Sequence, residues 1–308
     1  MSLLTDSICT FGRRWLALGI ALLAATSVIS VNAQQPAANE KIIISGASGQ
    51  LGELVVKELL ARGVPAANLI LVSRTPDQLK AYAGKGASVR FGDFTKPESL
   101  PAAYQGGTRM LLISIGMSGM PRPQAHKNAI DAAKAAGVRQ IAYTSWIGLS
   151  KNDATGIGTD HQATEEILRA SGVAWTMLRN SLYMDSILQQ ASAMRQAGRA
   201  TAPANEVKIG YVTREDCAAA AAAVLATPGH ENKVYDITGP ELVGVQEIAA
   251  ALTAVTGTAI EVTSGAGGAR GFGGPSAAVV SDHVAKLTGR PATSVKAMLE
   301  KNRPALGG

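Results

Sequence analysis

From residue 41 onward, short apolar runs alternate with longer stretches whose apolar residues recur every three or four positions. The short runs read as strands and the longer stretches as amphipathic helices. Strands are predicted over 41–45, 68–72, 88–91, 109–115, 140–145 and 173–178, with helices between them over 51–62, 77–82, 97–104, 123–136 and 160–170. The first helix shows the period plainly, since Leu51, Leu54, Val55, Leu59 and Leu60 share one face. Segment 109–115 reads as an apolar strand buried on both faces. Repeated strand–helix alternation predicts a doubly wound parallel α/β sheet.

The second half continues the pattern less regularly. A polar loop spans 148–158, and Thr159 with Gln162 three residues on forms a capping-box pattern for the helix over 160–170. Further helices are predicted over 184–197, 214–226, 245–256, 279–287 and 294–302, with short strands over 207–211, 233–238 and 260–262. The glycine-rich stretch 264–277 reads as a flexible loop.

The first forty residues read differently. Arg13 and Arg14 precede an apolar run from Trp15 to Ile29, and Val31 and Ala33 offer small residues at a cleavage site. This predicts a signal peptide over 1–33, a linker over 34–40 and an exported, periplasmic protein. A retained membrane anchor is the alternative, although the run is short for a span. The arginine pair loosely resembles a twin-arginine signal, which would export the folded protein with its cofactor. Cys9 would leave with the signal, and Cys217, in an alanine-rich helix, reads as a small buried hydrophobe. One remaining cysteine cannot form an intrachain disulfide.

The chain has 308 residues, a net charge of +6 and 4% aromatics. Its basic residues are scattered without interleaved aromatics, so nucleic-acid binding is not expected. A solvated basic surface and a basic pocket for an anionic cofactor both fit the charge.

Candidate chemistry starts at the end of the first strand. Gly46-Ala47-Ser48-Gly49-Gln50-Leu51-Gly52 is a GxxGxxG turn between a strand and an amphipathic helix. The first glycine allows the sharp turn, the second lets backbone N–H groups approach a pyrophosphate, and the third lets the helix pack close. The helix N-terminus then faces the anion with its positive end. Alone the motif reads equally as a helix start; in this context it predicts dinucleotide binding. The second strand ends in Ser73 and Arg74 where an NAD site usually has a carboxylate. A guanidinium can bind a 2′-phosphate by fork hydrogen bonds, which favours NADP(H) over NAD(H). A solvated surface arginine is the other reading. Asp93 can accept from the adenine amino group with Phe94 beside the ring, or serve only as a turn residue.

Short-chain dehydrogenases usually carry Tyr-x-x-x-Lys for proton transfer. Here Tyr143 is followed four residues on by Ile147, Tyr183 by Ile187 and Tyr211 by Glu215. That absence disfavours a nucleotide-sugar epimerase or dehydratase. His161 and Glu165 share a helical face instead. The glutamate could orient the imidazole and raise its pKa into the range of a proton donor, or the two could be an ordinary surface pair.

Five stretches together resemble a family: ISGASGQLGELVVKELL, GDFTKPESLPAAYQG, AHKNAIDAAKAAGVRQIAYTSWIG, HQATEEILRASGVAWTMLRNSLYMDSIL and GYVTREDCAAAAAAVL. They are similar to the NmrA-like atypical short-chain dehydrogenases/reductases, with the strongest likeness to bacterial NAD(P)H:quinone oxidoreductases and triphenylmethane reductase. The resemblance covers most of the chain from Lys41. It implies a Rossmann domain with a small C-terminal substrate lobe, built mainly from 180–308, and NADPH held between them. It also implies hydride transfer to a quinone or similar conjugated small-molecule acceptor, with no flavin and no metal. Such an acceptor needs only a hydrogen bond or a solvent proton for its oxyanion. A non-catalytic NADP(H) sensor of NmrA type is the alternative. By position, the resemblance places Ser114, Ile115, Tyr143, Thr144 and Ser145 along the cofactor cleft. It places Asn180, Ser181, Leu182 and Tyr183 near the nicotinamide and substrate. Ser145, His161, Asn180 and Tyr183 are the catalytic candidates, and Arg214-Glu215-Asp216 reads as a structural ion-pair cap. The segment before the closing helices is shorter than the family pattern.

Overall fold

The computed structural model describes residues 40–116, 119–149, 156–265 and 275–306. The signal, most of the linker and much of the glycine-rich stretch read from the sequence lie outside these residues. The elements run β1 (Ile42–Ser45), α1 (Gln50–Ala61), β2 (Leu69–Ser73), α2 (Lys80–Ala83), β3 (Ser88–Phe91), α3 (Leu100–Tyr104), β4 (Arg109–Leu112), α4 (Arg122–Ala135), β5 (Gln140–Trp146), α5 (Ile157–Ala170), β6 (Ala174–Asn180) and α6 (Asp185–Ala197). They continue with β7 (Arg199–Pro203), α7 (Arg214–Ala226), β8 (Lys233–Ile237), α8 (Val245–Thr256), β9 (Glu261–Gly265), α9 (His283–Thr288) and α10 (Val295–Lys301).

Seven parallel strands form the central sheet in the order β3-β2-β1-β4-β5-β6-β8, the doubly wound Rossmann arrangement. The order in which strands are added reverses beside β1, where Ile44 pairs with Leu71 of β2 on one side and Leu111 of β4 on the other. All four residues of β1 and of β4 are buried, which is why both strands are short and apolar. Ser45 and Arg109 are the exceptions in type: the Ser45 hydroxyl meets the Tyr104 hydroxyl at 2.9 Å, and Arg109 Nη1 donates to the Leu225 and Thr227 carbonyls at the end of α7, both at 2.8 Å. A cation at a helix C-terminus meets carbonyls left without intrahelical partners.

One face of the sheet packs on α1, α7 and α9 through a core containing Val55, Leu59, Ala218, Ala221 and Val284. The alanines of α7 are all buried, and their small side chains let the helix lie close to its neighbours. Cys217 is buried among them, and burial pushes its thiol up. The other face packs on α3, α4 and α5 through Leu100, Ala129, Ile130 and Leu168. A separate core of Ile187, Ile248, Leu252, Met298 and Leu299 joins α6, α8 and α10 into a small lobe beside the parallel pair β7–β9.

Several expected elements differ. The strand expected over 109–115 ends at Leu112, and residues 113–115 are half-buried outside the ladder. The helix expected over 77–82 is a 3-10 turn at Pro76–Leu79 followed by the single turn α2. The α5 helix begins at Ile157, with Gly156 at φ +56° before it, so Thr159 lies within the first turn instead of capping it. Segment 207–211 is not a strand. Ile209 makes an isolated bridge to Val243, and a Cβ on Gly210 would sit 2.4 Å from the Val279 carbonyl, so the segment is threaded between neighbours. The strand in this region is β7, whose Ala-Thr-Ala-Pro composition carries little apolar signal. Before α9 the chain makes tight turns, with the Ala278 and Val279 N–H groups donating to the Pro275 and Ala277 carbonyls, and the Ser281 N–H donates to Thr238 Oγ1 at 2.9 Å, so the helix starts at His283 and not at 279.

Candidate active site

The glycine turn is tied to the end of β2. The N–H groups of Gly46 and Ala47 both donate to the Val72 carbonyl, at 2.9 and 3.0 Å. Gly46 has φ +100°, a conformation that an L side chain would strain. Gly52 faces this turn, and a Cβ there would lie 2.3 Å from the Gly46 carbonyl oxygen. Gly49, by contrast, has room for a Cβ, whose nearest neighbour would be 3.4 Å away. The turn therefore presents the first-turn amides of α1 at the carboxyl edge of the sheet, beside the strand-order reversal, where such folds bind ligands.

A cleft of 580 Å³ lies there, lined by Gly46, Ser48, Gly49, Ser73, Arg74, Asp93, Phe94 and Ser114 among others. Gln50, Leu51 and Gly52, expected at the cofactor, do not line it; Leu51 is buried in the core and Gly52 packs against the turn. The side chains of Ser48, Ser73 and Thr75 form a hydroxyl cluster with Oγ separations of 2.5, 3.2 and 3.3 Å. Arg74 is exposed at its edge, with no hydrogen bond or ion pair among the described residues. Asp93 Oδ1 accepts from both the Thr95 N–H and hydroxyl, so one carboxylate oxygen serves a local turn.

A second cleft of 490 Å³ shares the wall Ser114, Ile115 and Gly116 with the first. It gathers Thr144, Ser145, His161, Asn180, Ser181, Leu182 and Tyr183 from β5, α5 and the end of β6. The shared wall is held from three sides. The Ser114 N–H donates to Thr144 Oγ1 at 2.9 Å, the Ile115 N–H donates to His126 Nε2 at 3.1 Å, and Arg122 Nε donates to the Ile115 carbonyl at 2.8 Å. Because Nε2 accepts, a neutral His126 carries its proton on Nδ1 and donates it to Thr164 Oγ1 at 3.0 Å. Burial, with the His161 and Arg122 charges, pushes His126 down to about 3. It is therefore a neutral structural link near pH 7.

The His161–Glu165 pairing expected from helical spacing does not form. Burial and the Arg122 charge push His161 down to about 4, outweighing the smaller upward pull of Glu165. A group with that pKa is not an imidazolium donor at neutral pH. Its Nδ1 instead meets the Tyr143 hydroxyl at 2.7 Å, and its ring stacks on Trp146. Glu165 turns to β6, where Arg179 grips it through Nε and Nη2 at 2.9 and 2.8 Å. Arg169 adds a contact at 2.8 Å and the Ser145 hydroxyl one at 2.6 Å.

The other catalytic candidates lie together. Asn180 Nδ2 is 3.5 Å from the Tyr183 hydroxyl, and burial raises the Tyr183 pKa, so that phenol stays protonated. Ser181 Oγ is buried with no hydrogen-bond partner among the described residues. Arg214 makes an ion pair as expected and also reaches the cleft. It pairs with Asp185, lies 4.4 Å from the Tyr183 ring centroid and lines the second cleft. Asp216 does form the ion-pair cap, accepting from Arg290 Nη1 at 2.5 Å and from Thr213 Oγ1 at 2.8 Å. Arg122, His126 and Trp146 were not singled out from the sequence. Their roles come from contacts between distant segments, which no local spacing announces.

A Rossmann sheet with a glycine turn at its reversal point, opening along one wall onto a second, largely apolar cleft with a few convergent polar groups, is the arrangement of a dinucleotide-dependent oxidoreductase. The chain belongs to the NAD(P)H-binding family, whose pattern it matches over residues 46–228. It is 40% identical over 216 residues to quinone oxidoreductase 2 of Escherichia coli (strain K12), covering 70% of this chain and 74% of that protein. It is 29% identical over 288 residues to the NAD(P)H azoreductase of Xenophilus azovorans, covering 86% and 99%. The Citrobacter sp. triphenylmethane reductase complexed with NADP(H) superposes with a TM-score of 0.75 at 30% identity, covering 85% and 99%. The E. coli NADPH-dependent quinone oxidoreductase QOR2 complexed with NADPH also gives 0.75, at 33% identity, covering 87% and 100%. The chain is an NAD(P)H-dependent oxidoreductase of the NmrA-like group.

Proposed function

We propose that this protein passes hydride from NADPH to a quinone or similar conjugated acceptor, without a flavin or a metal. The carrying observation is the wall Ser114, Ile115 and Gly116, which belongs to both clefts. A dinucleotide anchored at the glycine turn and extended along the first cleft delivers its nicotinamide end to the second. The α1 first-turn amides would take the pyrophosphate, and Arg74 with the Ser48, Ser73 and Thr75 hydroxyls would take the 2′-phosphate. Bound NADPH supplies the hydride. The chain supplies hydrogen-bond donors at Asn180 and Tyr183 for the oxyanion that forms on the acceptor, and solvent completes the protonation.

Menadione-dependent oxidation of NADPH tests this reading. Turnover is the expected result; tight NADPH binding with no turnover across several quinones would replace the enzyme with a sensor. For cofactor choice, Arg74→Ala is expected to weaken NADPH binding by about tenfold, the scale of one charged hydrogen bond, while leaving NADH binding unchanged. Equal wild-type affinities for the two cofactors would refute the role given to Arg74.

The proposal also places the protein outside the cytoplasm, on the strength of Arg13, Arg14, the following apolar run and the small residues at Val31 and Ala33. Cell fractionation tests it. Full-length, uncleaved protein in the cytosol would end this part of the proposal.

A further inference from the structure

Ser145 sits at the carboxyl end of β5, opposite Arg179 in the parallel ladder with β6, and lines the second cleft. A serine hydroxyl has one proton and two lone pairs. Here the proton has a fixed destination, because Ser145 Oγ is 2.6 Å from Glu165 Oε1, a length typical of O–H donation to a charged oxygen. The carboxylate is saturated. Oε1 also accepts from Arg179 Nε, and Oε2 accepts from Arg179 Nη2 and Arg169 Nη2. Two guanidinium groups around one buried carboxylate keep it ionised, and an ionised carboxylate accepts only. Burial pushes Glu165 up, but the hydrogen bonds from Arg179, Ser145 and Arg169 and the Arg179 charge outweigh it, leaving its pKa below the usual carboxylate value.

We infer that Glu165 makes Ser145 a dedicated hydrogen-bond acceptor in the cleft, one that reads an N–H or O–H donor on the bound molecule. This rests on the proposed cofactor placement. It reverses the part a cleft serine is usually given. Ser145 would not donate to the acceptor's oxyanion, because its proton would first have to leave a stronger acceptor. What its free lone pairs can recognise is the carboxamide –NH2 of a nicotinamide or the hydroxyl of a hydroquinone. Glu165 acts as a positioning residue through Ser145, and Arg179 and Arg169 act through Glu165.

The test compares ligands that differ by one donor. Equilibrium binding of NADP+ and its thionicotinamide analogue, which keep the –NH2, is set against the 3-acetylpyridine analogue, which lacks it. A second arm compares inhibition by menadiol with that by its dimethyl ether. Wild type is expected to disfavour the donor-free member of one pair by about tenfold, one lost hydrogen bond. The pair that responds identifies the source. Ser145→Ala should shrink that ratio to about twofold or less, and Ser145→Thr, which keeps a hydroxyl, should retain it. If Ser145→Ala does not fold, the wild-type ratio and Ser145→Thr still decide. NADP+ binding with no discrimination in either arm overturns the Ser145 inference and leaves the cofactor site standing. No NADP+ binding at all overturns both.

Discussion

Gly52→Ala is expected to weaken NADPH binding by about 10- to 100-fold and to cost ~1–3 kcal/mol of stability, the scale of overpacking at a site that cannot relax. The added methyl group would meet the Gly46 carbonyl oxygen at 2.3 Å, the Ala47 Cα at 2.8 Å and the Ala47 carbonyl carbon at 2.9 Å. All three are backbone atoms of the turn itself, so no side chain can swing aside. The helix must back away from the sheet or the turn must open, and either change moves the first-turn amides. Gly49→Ala provides the contrast. Its Cβ would have ordinary contact with the protein, at 3.4 Å, and Gly49 sits at φ −76°, which alanine adopts without strain. This variant should lose less than about 1 kcal/mol of stability while still crowding the bound pyrophosphate. NADPH fluorescence titration and denaturant unfolding of both variants separate the roles. Gly52→Ala with wild-type stability and affinity would show that the helix does not depend on this close approach.

The two glycines also mark how far the sequence could be read. Their spacing after an apolar strand exposes the turn, because strand and helix periods are local properties of the chain. The same holds for α1, whose apolar stripe Leu51, Val55 and Leu59 is buried as the period requires. Local reasoning fails where partners come from elsewhere. His161 and Glu165 are neighbours on α5, yet each bonds to the sheet below, to Tyr143 on β5 and to Arg179 on β6. Two guanidinium groups outcompete an imidazole for one carboxylate, and nothing in the helix itself shows that they are within reach. His126 was invisible for the same reason, since its two bonds join Ile115 and Thr164. The strand β7 escaped because only Ala200 among its residues is buried, too little for an apolar run.

Glu165→Ala carries the largest stability effect expected outside the glycine turn, a loss of about 3 kcal/mol, at the low end for breaking a buried ion pair. The carboxylate side chain is 1% exposed, while Arg179 and Arg169 are 24% and 38% exposed, so the orphaned guanidinium groups recover part of their hydration. That exposure places the cost at the low end. Arg169→Ala should cost much less, within about 1 kcal/mol, because Arg179 still holds both oxygens. The pH dependence has a definite sign. The folded-state pKa of Glu165 is depressed, so its contribution is complete above the carboxylate pKa of the unfolded chain and is lost as pH falls through the folded-state value. His161 adds to the trend in the same direction. Its folded-state pKa of about 4 lies below the ordinary 6.5, so acidification protonates the unfolded chain first and stability falls across that interval. Denaturant midpoints of wild type and Glu165→Ala should therefore differ most near neutrality and converge in acid. The midpoints of both proteins should also decline from about pH 6.5, since His161 and His126, both with depressed folded-state pKa values, remain in each. A difference between the two that grows on acidification would mean that the carboxylate is protonated in the fold. Ser145 would then lose its fixed acceptor role along with Glu165.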